Sequence, residues 1–277
     1  MTNDDLLTRE LEALATDAPA GLLDRVAARW VRVPGPVGDL YVASTDQGIA
    51  YVQMDEAAFA ASFRKRFGRP LLPASRTPAG LATALRTGRA TDLRFDLRGS
   101  TEFEQAVLRA ALTIPRGQVR PYSWIARRIG HPRAVRAVGS ALGRNPVPVL
   151  IPCHRVTRAD GTTGDYVFGS SVKESLLRAE EVDLDEVRAL ARAGVHYIGS
   201  DTTGIVCFPT CPHGRRITAA HRHGFRSMEE AKAAGYRPCR YCRPAAEAAE
   251  AAEPTAPTGR TAATGSRPAT DSAGGLS

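Results

Sequence analysis

The sequence predicts an α/β (α+β) protein with a small sheet region, a helical region and a metal-stabilised C-terminal unit. Three observations predict this class. Short β-rich runs broken by turns fill residues 31–60, amphipathic helical patterns follow from residue 101, and four of the five cysteines lie close together between residues 207 and 242. A chain of 277 residues is long enough for about two domains.

The first hundred residues are predicted to begin as helix and continue as sheet. Residues 1–30 carry apolar side chains at helical spacing, and a second short helix is predicted to end near Trp30. The β-rich runs that follow are typical of a hairpin or meander, and residues 61–92 are predicted to be mixed and loop-rich. These patterns give a helical extension over residues 1–30 and a sheet region over residues 31–99.

A helix is predicted from Thr101 to Leu112, and a helix-turn-helix candidate follows it. Ser123 can cap a helix that runs to Ile129, and Pro132 suits the first turn of a second helix. The second helix has an apolar side and a polar stripe opposite. The apolar side consists of Val135, Val138 and Leu142, and the stripe consists of Arg133, Arg136, Ser140 and Arg144. As a bare pattern, such a helix is more often a solvated face than a DNA-contacting one.

One more helix is predicted over residues 172–181, and residues 182–195 are predicted to link it to the C-terminal unit. The helical region therefore spans residues 100–185, and the unit that contains the clustered cysteines, here called the cysteine unit, spans residues 195–245. Residues 246–277 lack apolar periodicity and consist largely of small and polar residues, which predicts a disordered tail.

The net charge of +8 is unevenly distributed along the chain. Residues 101–160 contain ten arginines and three acidic residues, whereas residues 1–60 contain four arginines and ten acidic residues. This separation predicts an oriented face for a polyanion, although an arginine-rich surface from a GC-rich genome explains it equally well. The sequence has no long apolar run and no basic N-terminal signal, which predicts no membrane partner and a reducing, cytoplasmic compartment.

A lone cysteine stands directly before a histidine in the run Asn145-Pro-Val-Pro-Val-Leu-Ile-Pro-Cys153-His154-Arg155. A thiolate attacks carbon better than a thiol does, and a neighbouring base raises the thiolate population. A bare pair of this kind is weak evidence, because free cysteines are often buried small hydrophobes. The longer run is more specific: it resembles the active-site signature of the O6-alkylguanine-DNA alkyltransferases, also called methylated-DNA–protein-cysteine methyltransferases.

The resemblance extends roughly from Gly38 to Glu180 and implies a fold and a reaction. It implies a ribonuclease-H-like sheet region followed by a helical catalytic region that contains the helix-turn-helix. It also implies that Cys153 accepts the alkyl group of O6-methylguanine once and irreversibly, without an organic cofactor. His154 would take the thiol proton through a water, and Glu180 would hold the imidazole.

Further residues take family roles by their position in the motifs. Tyr122 matches the tyrosine that protonates the leaving guanine, and Arg136 matches the arginine inserted into the duplex when the base is flipped out. Asn145 would brace the active-site turn, and Arg133 and Ser140 are predicted to contact DNA beside Arg136. Taken alone, such a tyrosine is more often an ordinary core or surface residue. The wall of the base pocket is predicted to contain Tyr166, Val167 and Phe168, where many members carry smaller or polar residues.

The four clustered cysteines form a CxxxC pair and a CxxC pair, a spacing that can close a tetrahedral Zn²⁺ site. The predicted ligands are Cys207, Cys211, Cys239 and Cys242. A mixed site that uses His213, His221 or His223 is the main alternative. The surrounding sequence resembles the metal-binding domain of Ada-type DNA repair proteins, which implies that Cys207 also accepts a methyl group from a DNA methylphosphotriester. A purely structural zinc site is the other interpretation.

These observations support the hypothesis of a monomeric, bacterial-type protein for direct-reversal DNA repair, associated with the nucleoid. It would bind one zinc ion and double-stranded DNA that carries O6-alkylguanine. A competing hypothesis is an alkylation-damage sensor or regulator that binds methylated DNA without transfer. A zinc-stabilised nucleic-acid-binding protein without chemistry is a more distant alternative.

Overall fold

The computed structural model describes residues 25–245, and the sheet region at its start is one mixed four-stranded sheet. Its elements are β1 (Ala28–Gly35), β2 (Gly38–Thr45), β3 (Gly48–Gln53), α1 (Glu56–Phe67), β4 (Leu71–Pro73) and α2 (Leu81–Thr87). The strand order is β3-β2-β1-β4, in which the first three strands are antiparallel and β4 is parallel to β1. The meander predicted for residues 31–60 is therefore confirmed.

Two local predictions for this region are wrong. Trp30 lies in strand β1 and not in a helix. The centroid of its ring lies 5.8 Å from that of Phe59, on the helix that covers the sheet, and this packing stabilises the strand. Residues 61–92 contain more helix than predicted, since Asp55 caps α1 by accepting hydrogen bonds from two backbone amides and Gly68 ends it at φ +62°. Residues 1–24 of the predicted N-terminal helical extension lie outside the described residues.

The first helix of the helical region begins with a capping box. The Thr101 hydroxyl accepts a hydrogen bond from the Glu104 backbone amide, and the Glu104 carboxylate accepts one from the Thr101 backbone amide. Its elements are α3 (Glu102–Leu112), β5 (Arg120–Pro121), α4 (Tyr122–Arg128), α5 (Val135–Gly143), a 3₁₀ turn (Cys153–Arg155), β6 (Val156–Thr157), α6 (Ser170–Ala179) and α7 (Leu184–Arg192). Strands β5 and β6 pair in parallel, which brings the segment before α4 beside the segment after the 3₁₀ turn.

The two helices of the predicted helix-turn-helix are present, but they begin at other residues than predicted. The N-cap of α4 is Pro121 in an extended conformation, and the Ser123 side chain does not cap the helix. Helix α5 begins at Val135 instead of Pro132, because the preceding residues form a turn closed by a hydrogen bond from the Ala134 amide to the His131 carbonyl.

The link predicted over residues 182–195 contains helix α7, which the sequence analysis missed. Asp183 caps this helix by accepting from the Glu186 amide, and Arg188 forms an ion pair with Glu174 of α6. Leu184 is fully buried against Leu177, so α7 is packed against the helical region. No helix within residues 25–245 is long and apolar enough to cross a membrane.

The cysteine unit is a second four-stranded sheet with short helices. Its elements are β7 (Tyr197–Ser200), β8 (Ile205–Cys207), α8 (Pro212–Arg215), a 3₁₀ turn (Ala219–His221), β9 (Arg222–Phe225), α9 (Met228–Ala233) and β10 (Arg237–Pro238), in the sheet order β10-β8-β7-β9. One apolar cluster contains residues of this unit, such as Phe208, and residues of the helical region, such as Trp124. The unit is therefore docked onto the helical region. The predicted tail from residue 246 lies outside the described residues.

We expect Thr101→Ala to lower the free energy of unfolding by about 1 kcal/mol, because it removes the side-chain half of the capping box of α3. Urea denaturation followed by circular dichroism measures this change. Thr77→Ala, at an exposed loop residue, is the matched control. Equal stability of the two variants would show that the capping box does not stabilise the helix.

Candidate active site and zinc centre

Cys153 is buried at the start of the 3₁₀ turn and reaches a cavity of about 620 Å³. The turn that presents it is held by Asn145. The Asn145 amide donates hydrogen bonds of 3.0 Å to the Cys153 sulfur and to the Ile151 carbonyl, and its oxygen accepts one from the Val147 amide. Val149 has a φ of +71°, which a β-branched residue rarely adopts, so this turn is strained and needs such a brace.

His154 is buried beside Cys153 in the chain, and its two ring nitrogens have different surroundings. Its Nε2 lies 3.0 Å from Oε1 of Glu180, whereas its Nδ1 is buried without a hydrogen-bond partner in the protein. Burial lowers the pKa of His154, and the nearby Glu180 offsets this effect only in part. The imidazole is therefore neutral, and because the carboxylate can only accept, the proton sits on Nε2 and Nδ1 is free to accept a proton.

Glu180 is held by an arginine whose role the sequence analysis missed. Arg155 donates from Nε to Oε2 at 2.9 Å and from Nη2 to Oε1 at 2.7 Å, and its remaining donors reach the carbonyls of Ile114 and Gly88. Burial by itself would raise the pKa of Glu180, but the hydrogen bonds from His154 and Arg155 lower it to about 2. A signal was present in the sequence, because a buried carboxylate needs a cation and Arg155 directly follows the Cys-His pair.

The Cys153 sulfur is a thiol at rest. Burial raises the pKa of Cys153, and the hydrogen bond from Asn145 and the charge of Lys173 oppose this shift only in part. Lys173 is a second residue that the sequence analysis missed: it is fully buried, its Nζ donates to the Val156 carbonyl at 2.6 Å, and burial lowers its pKa to about 8. Deprotonation of Cys153 therefore needs a base at the moment of reaction, and His154 is the buried base beside it.

Tyr122 is the first residue of α4 and lines the same cavity. Burial, followed by the effect of Cys153, raises the pKa of Tyr122, so its hydroxyl keeps its proton and can donate it. Gly164 makes room for this hydroxyl, because a Cβ at that position would lie 3.1 Å from the Tyr122 oxygen. Gly164 also has a φ of +71°, which favours glycine for a second reason.

Two of the three predicted wall residues line the cavity, namely Tyr166 and Val167. Phe168 is not among the residues that line this cavity; its ring packs edge-on against Tyr166 at 5.7 Å and supports that ring. Val167 is 44% exposed and forms the rim.

Helix α5 borders the cavity through one charged residue, Arg136, and several apolar or small residues, namely Val135, Gly139, Leu142 and Gly143. Arg136 lines the cavity, and Arg133 and Ser140 are exposed on the same helix or just before it. The predicted stripe is shorter than expected, because Arg144 forms an ion pair with Glu104 at 2.6 Å. Val135 is 37% exposed and lines the cavity, so its assignment to the buried side is wrong.

The four predicted zinc ligands converge in the cysteine unit. All four cysteines are buried, and their sulfur atoms lie within 4.8 Å of one another. Tetrahedral Zn–S bonds of about 2.3 Å place sulfur atoms about 3.8 Å apart, so this set fits one zinc ion. Crowding of the thiols lowers the pKa of Cys211 to about 2 through the hydrogen bond with Cys207 and raises that of Cys207. Four thiolates at this spacing therefore need a cation.

The histidines of the alternative mixed site are engaged elsewhere. His221 and His223 lie 3.0 Å and 3.3 Å from the carboxylate oxygens of Asp201. The ring of His213 packs edge-on against Tyr241. The zinc centre is thus a four-cysteine site, and Zn²⁺ supplies the positive charge that holds its thiolates together.

A groove runs along the zinc centre on the side of Cys207. Its lining includes the basic residues Arg216, Arg237 and Arg240. Cys207 borders this groove but is itself 1% exposed, and Phe208 after it is buried on the inner side. The groove has the positive charge that a phosphate backbone requires.

Comparisons with known proteins agree with these two sites. Residues 102–182 match the DNA binding domain of 6-O-methylguanine DNA methyltransferase, and residues 187–245 match the metal binding domain of Ada. A methylated-DNA–protein-cysteine methyltransferase of Methanosarcina barkeri is 35% identical over 162 residues, which cover 55% of this chain and 96% of that protein. The chain belongs to the methylated-DNA–protein-cysteine methyltransferase family.

Two other similar proteins match only part of this methyltransferase-family chain, and in one of them the match also covers only part of the relative. The bifunctional transcriptional activator/DNA repair enzyme Ada of Escherichia coli is 35% identical over 169 residues, which cover 57% of this chain and 46% of that protein. The chain thus spans less than half of that relative. The crystal structure of Mycobacterium tuberculosis OGT in complex with DNA is 33% identical with a TM-score of 0.47, covering 57% of this chain and 98% of that one.

We expect Glu180→Gln to lower the free energy of unfolding at neutral pH. We also expect the free energy of unfolding of this variant to change less than that of the wild type as the pH falls. The folded-state pKa of Glu180 is about 2 against an ordinary 4.5, so the carboxylate stabilises the fold above pH 4.5 and loses this contribution as the pH falls towards 2. The shift corresponds to a contribution on the order of 3 kcal/mol. Urea unfolding over a pH series measures it.

The matched control for this prediction is Glu181→Gln, which removes the neighbouring exposed carboxylate. That variant should keep the acid dependence of the wild type. If Glu180→Gln also kept it, the ion pair with Arg155 would not be the source of the acid sensitivity.

Proposed function

We propose that this protein repairs alkylated DNA directly, by transferring the alkyl group of O6-alkylguanine to Cys153 in a single turnover. One observation carries the proposal: Cys153 opens into a cavity beside helix α5, while His154 presents an unpartnered Nδ1 and is fixed from behind by Glu180. This set provides a nucleophile, a base and an orienting carboxylate, which is the logic of an activated nucleophile.

The proposed step balances within the protein and the substrate. His154 Nδ1 takes the proton of the Cys153 thiol through a water, and the sulfur attacks the alkyl carbon as the bond between that carbon and O6 breaks. The electron pair of that bond goes to the guanine, which takes a proton from the Tyr122 hydroxyl; the proton on His154 restores the tyrosine. The net result is a thioether on Cys153 and an ordinary guanine in DNA.

The proposed DNA-contacting element is α5 with the turn before it. Arg136 lines the cavity mouth, where it can fill the space left by a base that has moved out of the stack. Arg133 and Ser140 are placed to contact the backbone of the same duplex. We assign the transfer to residues 100–185 of a monomer. None of its five cysteines forms a disulfide, which suits the reducing bacterial cytoplasm, where the nucleoid lies.

We expect zinc-loaded protein mixed with a duplex bearing one O6-methylguanine to gain the mass of one methyl group on Cys153. Intact and peptide mass spectrometry measure the gain and its position. Cys153→Ala should bind the duplex without any gain, and Tyr122→Phe should react about 100-fold more slowly because the leaving base lacks its proton donor. Tight binding without transfer by the wild type would contradict the repair function and favour a lesion sensor.

We further propose that Cys207 accepts a methyl group from a DNA methylphosphotriester. The observation that favours this second reaction is the basic groove beside the zinc-bound cysteines. Four thiolates on Zn²⁺ carry a net charge of −2, so one of them stays nucleophilic without a separate base. The low exposure of Cys207 requires the sulfur to be reached through that groove.

In the Cys153→Ala variant, we expect a duplex with a single methylphosphotriester to methylate Cys207 and no other cysteine. Peptide mass spectrometry locates the methyl group. Arg237→Ala should slow the reaction about tenfold by removing a phosphate contact, whereas Arg192→Ala, on the exposed face of α7, should not. An unmodified Cys207 in zinc-loaded protein would make the centre purely structural.

A further inference from the structure

Arg120 is a buried arginine at the boundary between the helical region and the cysteine unit. It is 2% exposed and lies in β5. Its guanidinium stacks over Phe208, the residue after Cys207, at 4.5 Å from the ring centroid, and lies 5.7 Å from the ring of Trp124. One side of this arginine therefore contacts the cysteine unit, and the other contacts the helical region.

The positive charge of Arg120 has no carboxylate partner. Its Nη1 and Nη2 donate to the Val119 carbonyl at 2.8 Å and to the Gln118 side chain at 2.6 Å, and its Nε is buried without a hydrogen-bond partner. Among residues 25–245, no acidic side chain forms an ion pair with it. A buried charge without a counter-charge is strongly unfavourable, so the surroundings must supply one.

The zinc centre supplies that counter-charge. Four thiolates around Zn²⁺ carry a net charge of −2. Burial lowers the pKa of Arg120, and the charges of Cys242, Cys211 and Cys239 oppose this shift. The guanidinium lies 4.5 Å from the ring centroid of Phe208, the residue after the zinc ligand Cys207. Because Arg120 is buried with no acidic partner and an unpartnered Nε, these residues fit a loaded zinc centre better than an empty one.

The segment that carries Arg120 also carries part of the Cys153 site. Tyr122 follows two residues later, and β5 pairs with β6, directly after the 3₁₀ turn of Cys153 and His154. On the other side, the Val119 amide donates to the Thr210 hydroxyl at 3.0 Å, next to the zinc ligand Cys211. A single short segment, from Val119 to Tyr122, thus adjoins both centres.

We propose that Arg120 couples the two centres: the zinc–thiolate charge holds Arg120, and Arg120 in turn positions the strand that presents Tyr122. Zinc loading of the cysteine unit then sets the rate of alkyl transfer at Cys153. Arg120 is a positioning residue in this scheme and does not contact the substrate. The inference rests on the proposed alkyl transfer for its rate effect, but the link between Arg120 and zinc stands apart from it.

The first test is zinc retention by the full chain. Arg120→Met keeps a similar volume and removes the charge, so we expect the variant to release zinc to the chelator 4-(2-pyridylazo)resorcinol at least about tenfold faster than the wild type. The matched control is Arg215→Met, which removes an exposed charge four residues after the ligand Cys211 and should release zinc at the wild-type rate. Equal release by the wild type and Arg120→Met would overturn the proposal.

The second test measures the fluorescence of Trp124, which lies at the contact between the helical region and the cysteine unit. Trp124 donates from its indole nitrogen to the Arg243 carbonyl of the cysteine unit at 3.0 Å, and Trp30, the other tryptophan, is removed by Trp30→Phe. In that background, chelation of zinc should shift the Trp124 emission to longer wavelength as the ring becomes hydrated. Arg120→Met should show the shifted emission even with zinc bound. Emission that does not respond to zinc would contradict the coupling.

The third test compares transfer rates with and without zinc. Removal of zinc should slow methyl transfer to Cys153 at least about fivefold in the wild type, and Arg120→Met should be equally slow with zinc and slow no further without it. Additive effects of the two changes would overturn the proposal. Arg120→Lys, which restores the charge without the stacking, should recover part of the zinc retention even if Arg120→Met folds poorly.

These outcomes separate the inference from the proposed function. A wild-type protein that never methylates Cys153 would contradict the repair function, while zinc release and Trp124 emission would still decide the link between Arg120 and zinc. A wild-type protein that transfers methyl at a rate independent of zinc would leave the repair function standing and overturn the coupling.

Discussion

The buried ion pair between Glu180 and Arg155 is the interaction on which the rest of the Cys153 site depends. Glu180 caps the C-terminus of α6, and Arg155 ends the 3₁₀ turn that begins with Cys153. The remaining donors of Arg155 reach the Gly88 and Ile114 carbonyls, so one guanidinium joins the sheet region, the helical region and the active-site turn. Removing either partner would leave a buried charge uncompensated, which costs far more than a surface ion pair would.

This ion pair also decides the protonation states of the site. An ionised Glu180 fixes the proton of His154 on Nε2, and burial keeps the imidazole neutral, so Nδ1 can act as a base. Burial keeps Cys153 as a thiol until that base acts. The sequence motif predicted that His154 takes the proton of the Cys153 thiol, but not the protonation state of either residue at rest. The structure shows a buried cysteine that is held as a thiol, so its deprotonation is linked to the reaction itself.

The parts of the fold and site that could be predicted from sequence are those with a local signal. The β-rich runs, the capped helix α3 and the cysteine spacing each lie within a short stretch of sequence. The motif around Cys153 likewise contains Asn145 and His154, which lie beside the cysteine in the structure. The residues that sequence reasoning missed act through long-range contacts. Arg155, Lys173 and Arg120 look like any other cation in a basic segment, and only their burial reveals their roles. Likewise, Pro132 and Ser123 had suitable types for helix starts, but tertiary packing placed those starts elsewhere.

The arginines of residues 101–160 show why net charge is a limited guide to a binding face. Arg155 and Arg120 are buried, so neither of them is free to meet a phosphate, and the exposed Arg144 is already paired with Glu104. The positive charge of the segment is therefore divided between internal counter-ions and arginines on several surface elements, of which Arg136 is the one within α5. The division has a physical logic: a thiolate centre and an ionised carboxylate, each buried, both need a cation nearby, and an arginine can supply several hydrogen bonds along with its charge. The same composition that attracts DNA from outside thus stabilises the two anionic centres within.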